Sequence, residues 1–332
     1  VARRILEFTK QPFVINKQEL YVSTSIGIAL FPYDGTNADE LMKNADIAMY
    51  HAKKSGRNNY QYFSSKLNEE SLFKLKIESK LRHAVENNEL EVYFQPQMSL
   101  ASGRIEGAEC LLRWQDEELG MVPPDVFIPI AEEYGLIIPI TEWLIRDICS
   151  RAHQWARNYD YPVIMAINIS AVHFCGHDLA GLINRTLHAT GYNPKMLEIE
   201  LTETSILQDP ELAITTLEKI HTMGLQASLD DFGTGYSSLN YLMQLPIDKL
   251  KIDRSFIMNM DKDEKGAAIV SAIIAMAHSL DIEVIAEGVE HNAHISLLRK
   301  MQCDIVQGYY IAKPMPAAEF EQLIASSAQH IA

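Results

Sequence analysis

The sequence predicts an α/β protein whose larger part closes into a TIM-like (β/α)8 barrel, preceded by a partial α/β domain and a connecting helix. Two observations predict the barrel. From Leu90 onward, short apolar and β-branched runs alternate with helical patterns, as βα units do. Each run also ends in a polar residue. Val163–Ile167 ends at Asn168, Leu197–Ile199 at Glu200, and Leu225–Leu229 at Asp230 and Asp231. Ile247–Leu250 ends at Lys251, Glu283–Ala286 at Glu287, and Cys303–Val306 at Gln307. The intervals from 168 to 200, 230, 251, 287 and 307 are 32, 30, 21, 36 and 20 residues. Six units, with further strands near Glu91–Gln95 and Arg104–Leu112, give about eight in roughly 250 residues, the usual size of such a barrel.

The part before the barrel reads differently. Val1–Phe8 is helical, Glu19–Leu30 extended, and Pro32-Tyr33-Asp34-Gly35 a turn. A helix runs from about Asp39 to Lys54 and stops at Gly56, and Asn59–Phe63 is a short aromatic strand. Ser64–Asn88 is polar and helical. Phe73, Ile77, Leu81 and Val85 share one face, and Asn87-Asn88 ends the helix. The expected division is 1–63, a domain fragment; 64–88, a linker and connecting helix; and 89–332, the barrel.

Composition narrows the function. The chain has 332 residues, is 47% apolar and carries a formal net charge of −15. That core is ample for a globular fold. The acidity disfavours DNA or RNA polymers, which want a basic face. No apolar run reaches the ~18 residues of a membrane span. The four cysteines, Cys110, Cys149, Cys175 and Cys303, form no CxxC pair, which argues for a reducing compartment and against a zinc knuckle.

In a barrel of this kind the strand C-termini build the active site. A lone acid after a strand is usually a helix cap or a solvated loop residue, and a lone Asn a turn former. Five carboxylates and an amide gathered at one end would repel strongly without cations. Oxygen ligands favour Mg2+ or Mn2+ over Zn2+. The adjacent Asp230 and Asp231 can reach two ions a few Å apart, an arrangement suited to phosphoryl displacement. Lys251 adds a further positive charge, or accepts or steers a proton from the water. Asp231-Phe232-Gly233-Thr234-Gly235-Tyr236-Ser237-Ser238 makes a tight, adaptable loop over the site. Asp-Phe-Gly also matches a kinase magnesium motif, but no other kinase motif accompanies it. The sequon Asn168-Ile169-Ser170 ends a core strand and is not read as a glycosylation site.

These residues closely resemble the EAL-domain family of cyclic di-GMP phosphodiesterases, over roughly residues 73 to 325. The motifs are Tyr93-Phe94-Gln95-Pro96, Glu109-Cys110-Leu111-Leu112-Arg113-Trp114, Asn168-Ile169-Ser170 and Glu200-Leu201-Thr202-Glu203, then Asp230 to Gly235, Lys251-Ile252-Asp253, Ala286-Glu287-Gly288-Val289-Glu290 and Gln307-Gly308-Tyr309. The resemblance implies metal ligation of two Mg2+ or Mn2+ ions by Glu109, Asn168, Glu200, Asp230, Asp231 and Glu287. It implies that Lys251 assists the nucleophilic water, that Gln307 hydrogen-bonds nearby and that Glu203 anchors the glycine loop. Gln95 and Arg113 match substrate contacts, Arg113 with a phosphate, and Asp253 and Glu290 match further substrate-side positions. The product implied is the linear dinucleotide pGpG. One departure stands at the motif that names the family: Glu-Ala-Leu reads Glu109-Cys110-Leu111. Cys is small and apolar enough to be buried there, so activity is expected to survive, with oxidant sensitivity as a lesser alternative.

Residues 1 to about 63 resemble the C-terminal part of a GGDEF domain, the diguanylate cyclase family. The stretches are Ser25-Ile26-Gly27-Ile28-Ala29, Ala45-Asp46-Ile47-Ala48-Met49-Tyr50, Ala52-Lys53 and Gly56-Arg57-Asn58, with Lys53 and Arg57 at triphosphate-contact positions. The signature itself would precede Val1, so this piece alone is not expected to make cyclic di-GMP. A longer parent protein with an upstream sensor or membrane domain is expected, with this chain in the cytoplasm. The alternative to an active enzyme is a cyclic di-GMP receptor, a role that goes with lost ligands; this chain has lost none. A homodimer through Leu239–Leu245 is also expected, although the same stretch reads equally as barrel-helix core.

Overall fold

Val1–Lys80 and Leu81–Ala332 form two units in the computed structural model, which describes residues 1–176, 178–233 and 242–329. In the first unit a helix (Ala2–Thr9) precedes a hairpin of β1 (Phe13–Ile15) and β2 (Gln18–Leu20). Asn16 and Lys17 both have positive φ, as a two-residue hairpin turn requires. β3 (Ile26–Ile28) pairs in parallel with β4 (Tyr60–Tyr62), and the helix Ala38–Lys54 makes the crossover. Asn37 caps that helix by accepting from the Glu40 amide. A Cβ on Gly27 would meet the Ala45 carbonyl oxygen at 1.9 Å, so only glycine lets helix and strand approach this closely.

The connecting helix is shorter than the periodicity predicts. It spans Ser65–Leu81. Beyond it, Ala84 bonds back to Leu81 and Asn88 to Val85, three residues apart, and Asn88 has positive φ. The chain there tightens into turns, so Ala84 takes the buried position and Val85 is only half-buried. Ile77 and Leu81 are buried as expected, while Phe73 is exposed.

The second unit is the barrel. Its strands are β5 (Leu90–Ser99), β6 (Ile105–Asp116), β8 (Ile164–Asn168), β9 (Leu197–Thr202), β10 (Gln226–Phe232), β11 (Lys249–Ile252), β12 (Glu283–Ala286) and β13 (Ile305–Gln307). The short strands β7 (Gly120–Val122) and β14 (Met315–Pro316) flank β6 and β5. Neighbours pair in the order β5, β13, β12, β11, β10, β9, β8, β6, and β6 pairs with β5, which closes an eight-stranded ring. The strands from β6 to β13 run parallel, but β5 is antiparallel to both its neighbours. The cause is local. β5 and β6 are joined by a short turn carrying Gly103 at φ +70°, and so tight a link reverses the chain where a parallel pair would need a helical crossover. The first repeat is therefore a hairpin and not a βα unit.

Outside the ring, aromatic packing secures the helices. Phe94 on β5 lies 5.2 Å from both Trp155 and Phe320, centroid to centroid, and Trp114 lies 5.7 Å from Phe127. Asp209 and Asp263 cap the helices Pro210–Thr222 and Glu264–His278. The interior of the ring is polar. Successive residues on a strand face opposite ways, so Glu198 and Glu200 share the inner face with Ser228 and Asp230 and with Lys249 and Lys251. All six are buried.

Candidate functional site

Lys251 organises the inner layer at the strand C-termini. It is fully buried, and its Nζ lies 2.8 Å from Glu287 Oε1, 2.9 Å from Glu200 Oε2, 3.1 Å from Asp230 Oδ2 and 3.6 Å from Glu109 Oε2. Asn168 Nδ2 donates to Glu109 Oε1 at 2.7 Å and to Glu200 Oε2 at 3.0 Å. Gln307 Nε2 donates to Glu109 Oε2 and to Gln95 Oε1, and Gln97 Nε2 donates to Gln307 Oε1. Seven strands and the loop after β12 thus deliver one contiguous network.

Asp231 reaches the site by a departure from strand geometry. Adjacent residues on a strand normally face opposite sides. Here the pairing of β10 with β11 shifts register between Leu229 and Phe232, and Asp231 has φ +56°, a left-handed conformation that few non-glycine residues adopt. Carboxylate oxygens of Asp230, Asp231 and Glu287 consequently lie within 4.8 Å of one another, as do those of Glu109, Glu200 and Asp230. Asp230 belongs to both groups. Oxygens on opposite sides of one magnesium-sized ion, each ~2.1 Å from it, sit ~4.2 Å apart, so little movement would close either group on a cation. The Oε1 atom of Glu200 is buried without a hydrogen-bond partner among the described residues, as a carboxylate built to receive a cation would be.

The electrostatics follow from crowding. Burial, reinforced by the Glu109 and Asp230 charges, holds the Glu200 carboxyl well above the usual carboxylate range. Burial likewise pushes Glu287 up to about 7 against the pull of Lys251, and burial and Asp230 raise Asp231. At Glu109 burial is outweighed by Lys251 and by the amides of Gln307 and Asn168, and the carboxyl sits low. At Lys251 burial opposes the charge, yet the four surrounding carboxylates raise it well above the ordinary lysine range. Burial pushes the Cys110 thiol up well above its ordinary value, which leaves no reactive thiolate.

The remaining expected residues divide. Gln95 is buried with both ends of its amide engaged, its Nε2 donating to Ala312 O at 3.3 Å. Glu290 lines a cleft of ≈ 310 Å³ together with Gln95, Glu109, Asp230, Asp231 and Glu287. Arg113 lines an adjoining cavity of ≈ 460 Å³, with its guanidinium over the Tyr93 ring and one donor on Leu112 O at 2.8 Å. Asp253 caps the helix Arg254–Ile257 through the Ser255 amide and does not line the cleft. Glu203 is buried at the start of the helix Glu203–Gln208. The loop residues Thr234–Ser238 it is expected to anchor lie outside the described residues, as do 239–241 of the expected dimer segment. Sequence reading missed Arg254 and gave Tyr309 no role, though both line the cleft. Position immediately after a barrel strand was the available signal for Arg254.

A (β/α)8-type barrel with a carboxylate-rich inner layer defines a class of protein whose acidic groups could hold metal ions. Within that class the chain belongs to the EAL domain family, whose model matches residues 78–314, and residues 1–59 match the diguanylate cyclase GGDEF domain. The chain is 40% identical over 99% of its length to the bifunctional diguanylate cyclase/cyclic di-GMP phosphodiesterase MucR of Pseudomonas aeruginosa, of which it covers 47%. It is 37% identical over 97% of its length to the cyclic di-GMP phosphodiesterase PdeR of Escherichia coli, covering 48%. It thus spans about half the length of these relatives. Among solved structures, the PaMucR phosphodiesterase in complex with c-di-GMP superposes with a TM-score of 0.71 at 37% identity, over 74% of this chain and 99% of that one. No helix among the described residues is long and apolar enough to cross a membrane.

Proposed function

We propose that this chain hydrolyses cyclic di-GMP to linear pGpG with two bound Mg2+ or Mn2+ ions. The observation that carries the reading is the charge of the inner layer. Glu109, Glu200, Asp230 and Glu287 surround Lys251, and Asp231 joins Asp230 and Glu287 in a second acidic group. Five carboxylates less one ammonium leave four negative charges, the charge that two divalent cations offset. Glu109, Asn168, Glu200 and Asp230 would hold one ion, and Asp230, Asp231 and Glu287 the other. When bound, such ions supply Lewis-acid charge to a phosphoryl oxygen and acidify water.

This chain's own residues do the rest. Lys251 places its ammonium beside Glu109, Glu200, Asp230 and Glu287, fixes their spacing and orients the attacking water. Asn168 and Gln307 hold Glu109 at its two oxygens, and Gln97 and Gln95 hold Gln307. Glu203 positions the glycine loop, Arg113 and Glu290 serve the substrate side, and Asp253 serves it indirectly by capping the helix that begins at Arg254. The phosphodiesterase names of MucR and PdeR, and the c-di-GMP held by the PaMucR structure, support the substrate. The unpaired Cys110, Cys149 and Cys303 support a cytoplasmic setting, and a homodimer through 239–245 belongs to the same proposal.

The test is chromatography of cyclic di-GMP incubated with the purified chain and Mg2+, Mn2+ or EDTA. pGpG is expected with metal and none with EDTA. Tight binding without cleavage would make the chain a receptor instead.

A further inference from the structure

We propose that Arg254 is a further substrate-binding residue, which holds the non-scissile phosphate of the dinucleotide in the metal-bearing cleft. The inference rests on the cyclic di-GMP reading above. The substrate carries two phosphates, and only one of them can be the reacting group. The cleft that contains Glu109, Asp230, Asp231 and Glu287 must therefore accommodate a second anion close by. Its walls carry five carboxylates, Glu290 among them, and Arg254 is the one cation among its described lining residues. Lys251 is sealed beneath the floor, fully buried. Arg113, the arginine expected to take a phosphate, opens on the adjoining cavity and spends one donor on a backbone carbonyl.

The backbone positions Arg254 for this task. It is the first residue of the helix Arg254–Ile257, directly after β11, and Asp253 fixes that turn by capping it. Gly288, which follows Glu287, packs directly against the Arg254 stem. A Cβ there would meet Arg254 Cβ at 2.5 Å and its Cα at 3.2 Å, so this glycine admits the arginine stem against the loop. The Arg254 side chain is 62% exposed, and its guanidinium lies 4.0 Å from Glu290 Oε1. So long and solvated a pair is weak, and a phosphate, which guanidinium grips with two parallel hydrogen bonds, displaces it readily. Glu290 parks the arginine facing the cleft until substrate arrives.

The experiment compares the full chain with its Arg254→Ala and Arg254→Lys variants on two substrates, both with Mn2+: cyclic di-GMP, and bis(p-nitrophenyl) phosphate, a diester with a single phosphate. The expected result is a KM for cyclic di-GMP raised about tenfold or more in Arg254→Ala, the loss of a charge-assisted contact. kcat should change far less, Lys should restore part of the affinity, and the single-phosphate diester should lose much less than cyclic di-GMP. An unchanged KM, or an equal loss on both substrates, would overturn the assignment. Wild-type protein that cleaves the model diester but never cyclic di-GMP would instead refute the functional reading on which it rests.

Discussion

Two buried lysines stand two residues apart on β11, and their surroundings differ. Lys249 meets one carboxylate, Glu198 of β9, in a pair sealed from solvent. Lys251, one layer nearer the strand C-termini, meets four. Charge balances in the lower layer and does not in the upper. A balanced buried pair neutralises its own charge and fixes strand register, although Glu198 Oε1, like Glu200 Oε1, has no hydrogen-bond partner among the described residues. An unbalanced one must take up protons or cations, and the raised Glu200 and Glu287 carboxyls record that demand. Burial of charge is therefore no sign of function by itself. Excess of one sign is the feature that separates site from scaffold.

The comparison can be broken by substitution. The largest effect is expected in the upper layer. Glu109→Ala or Lys251→Ala should lower turnover of cyclic di-GMP by about a hundredfold or more, with the fold retained by circular dichroism; an unimpaired Glu109→Ala enzyme would sink the ligand assignment. In the lower layer, Lys249→Met should cost about 3–5 kcal/mol in a denaturant titration, because it leaves Glu198 charged and buried. The double variant Glu198→Met/Lys249→Met should recover most of that loss and keep turnover. A double variant that folds well but is inactive would make the lower layer catalytic. Next, Mn2+ at a hundred times its Kd should stabilise the protein by ~2.7 kcal/mol in thermal melts. The shift should survive the double variant and shrink in Asp230→Asn. The smallest effect is at Cys110→Ala, about 1 kcal/mol in stability with turnover and peroxide resistance unchanged, since the thiol is buried and protonated. Peroxide inactivation that the variant abolishes would contradict this.

The layers also show what a sequence displays and what it hides. Strand positions were legible because β-branched runs closed by acids mark buried parallel strands, and Asn168, Glu200, Asp230, Lys251, Glu287 and Gln307 all meet in one network. Four features were not legible. The reversal of β5 depends on a turn too short for a crossover, which apolar periodicity does not report. Asp231 joins Asp230 only through a left-handed residue at a register shift, against the alternation that strand reading assumes. The helix after Ser64 stops at Leu81 because the next bonds tighten to three-residue spacing, although the apolar spacing of four continues to Val85. Arg254 went unnoticed because it follows the strand-ending run Lys251-Ile252-Asp253 by one residue, and its role depends on packing its stem against Gly288.

The most direct test of the contrast between the layers is a calorimetric titration of Mn2+ into the metal-free chain, the Glu198→Met/Lys249→Met variant and Asp230→Asn. Two ions per chain are predicted for the first two proteins and fewer for Asp230→Asn, which loses the residue shared by both acidic groups. No binding to the wild-type chain, or binding that Asp230→Asn leaves unchanged, would contradict the assignment of the upper layer as a cation site.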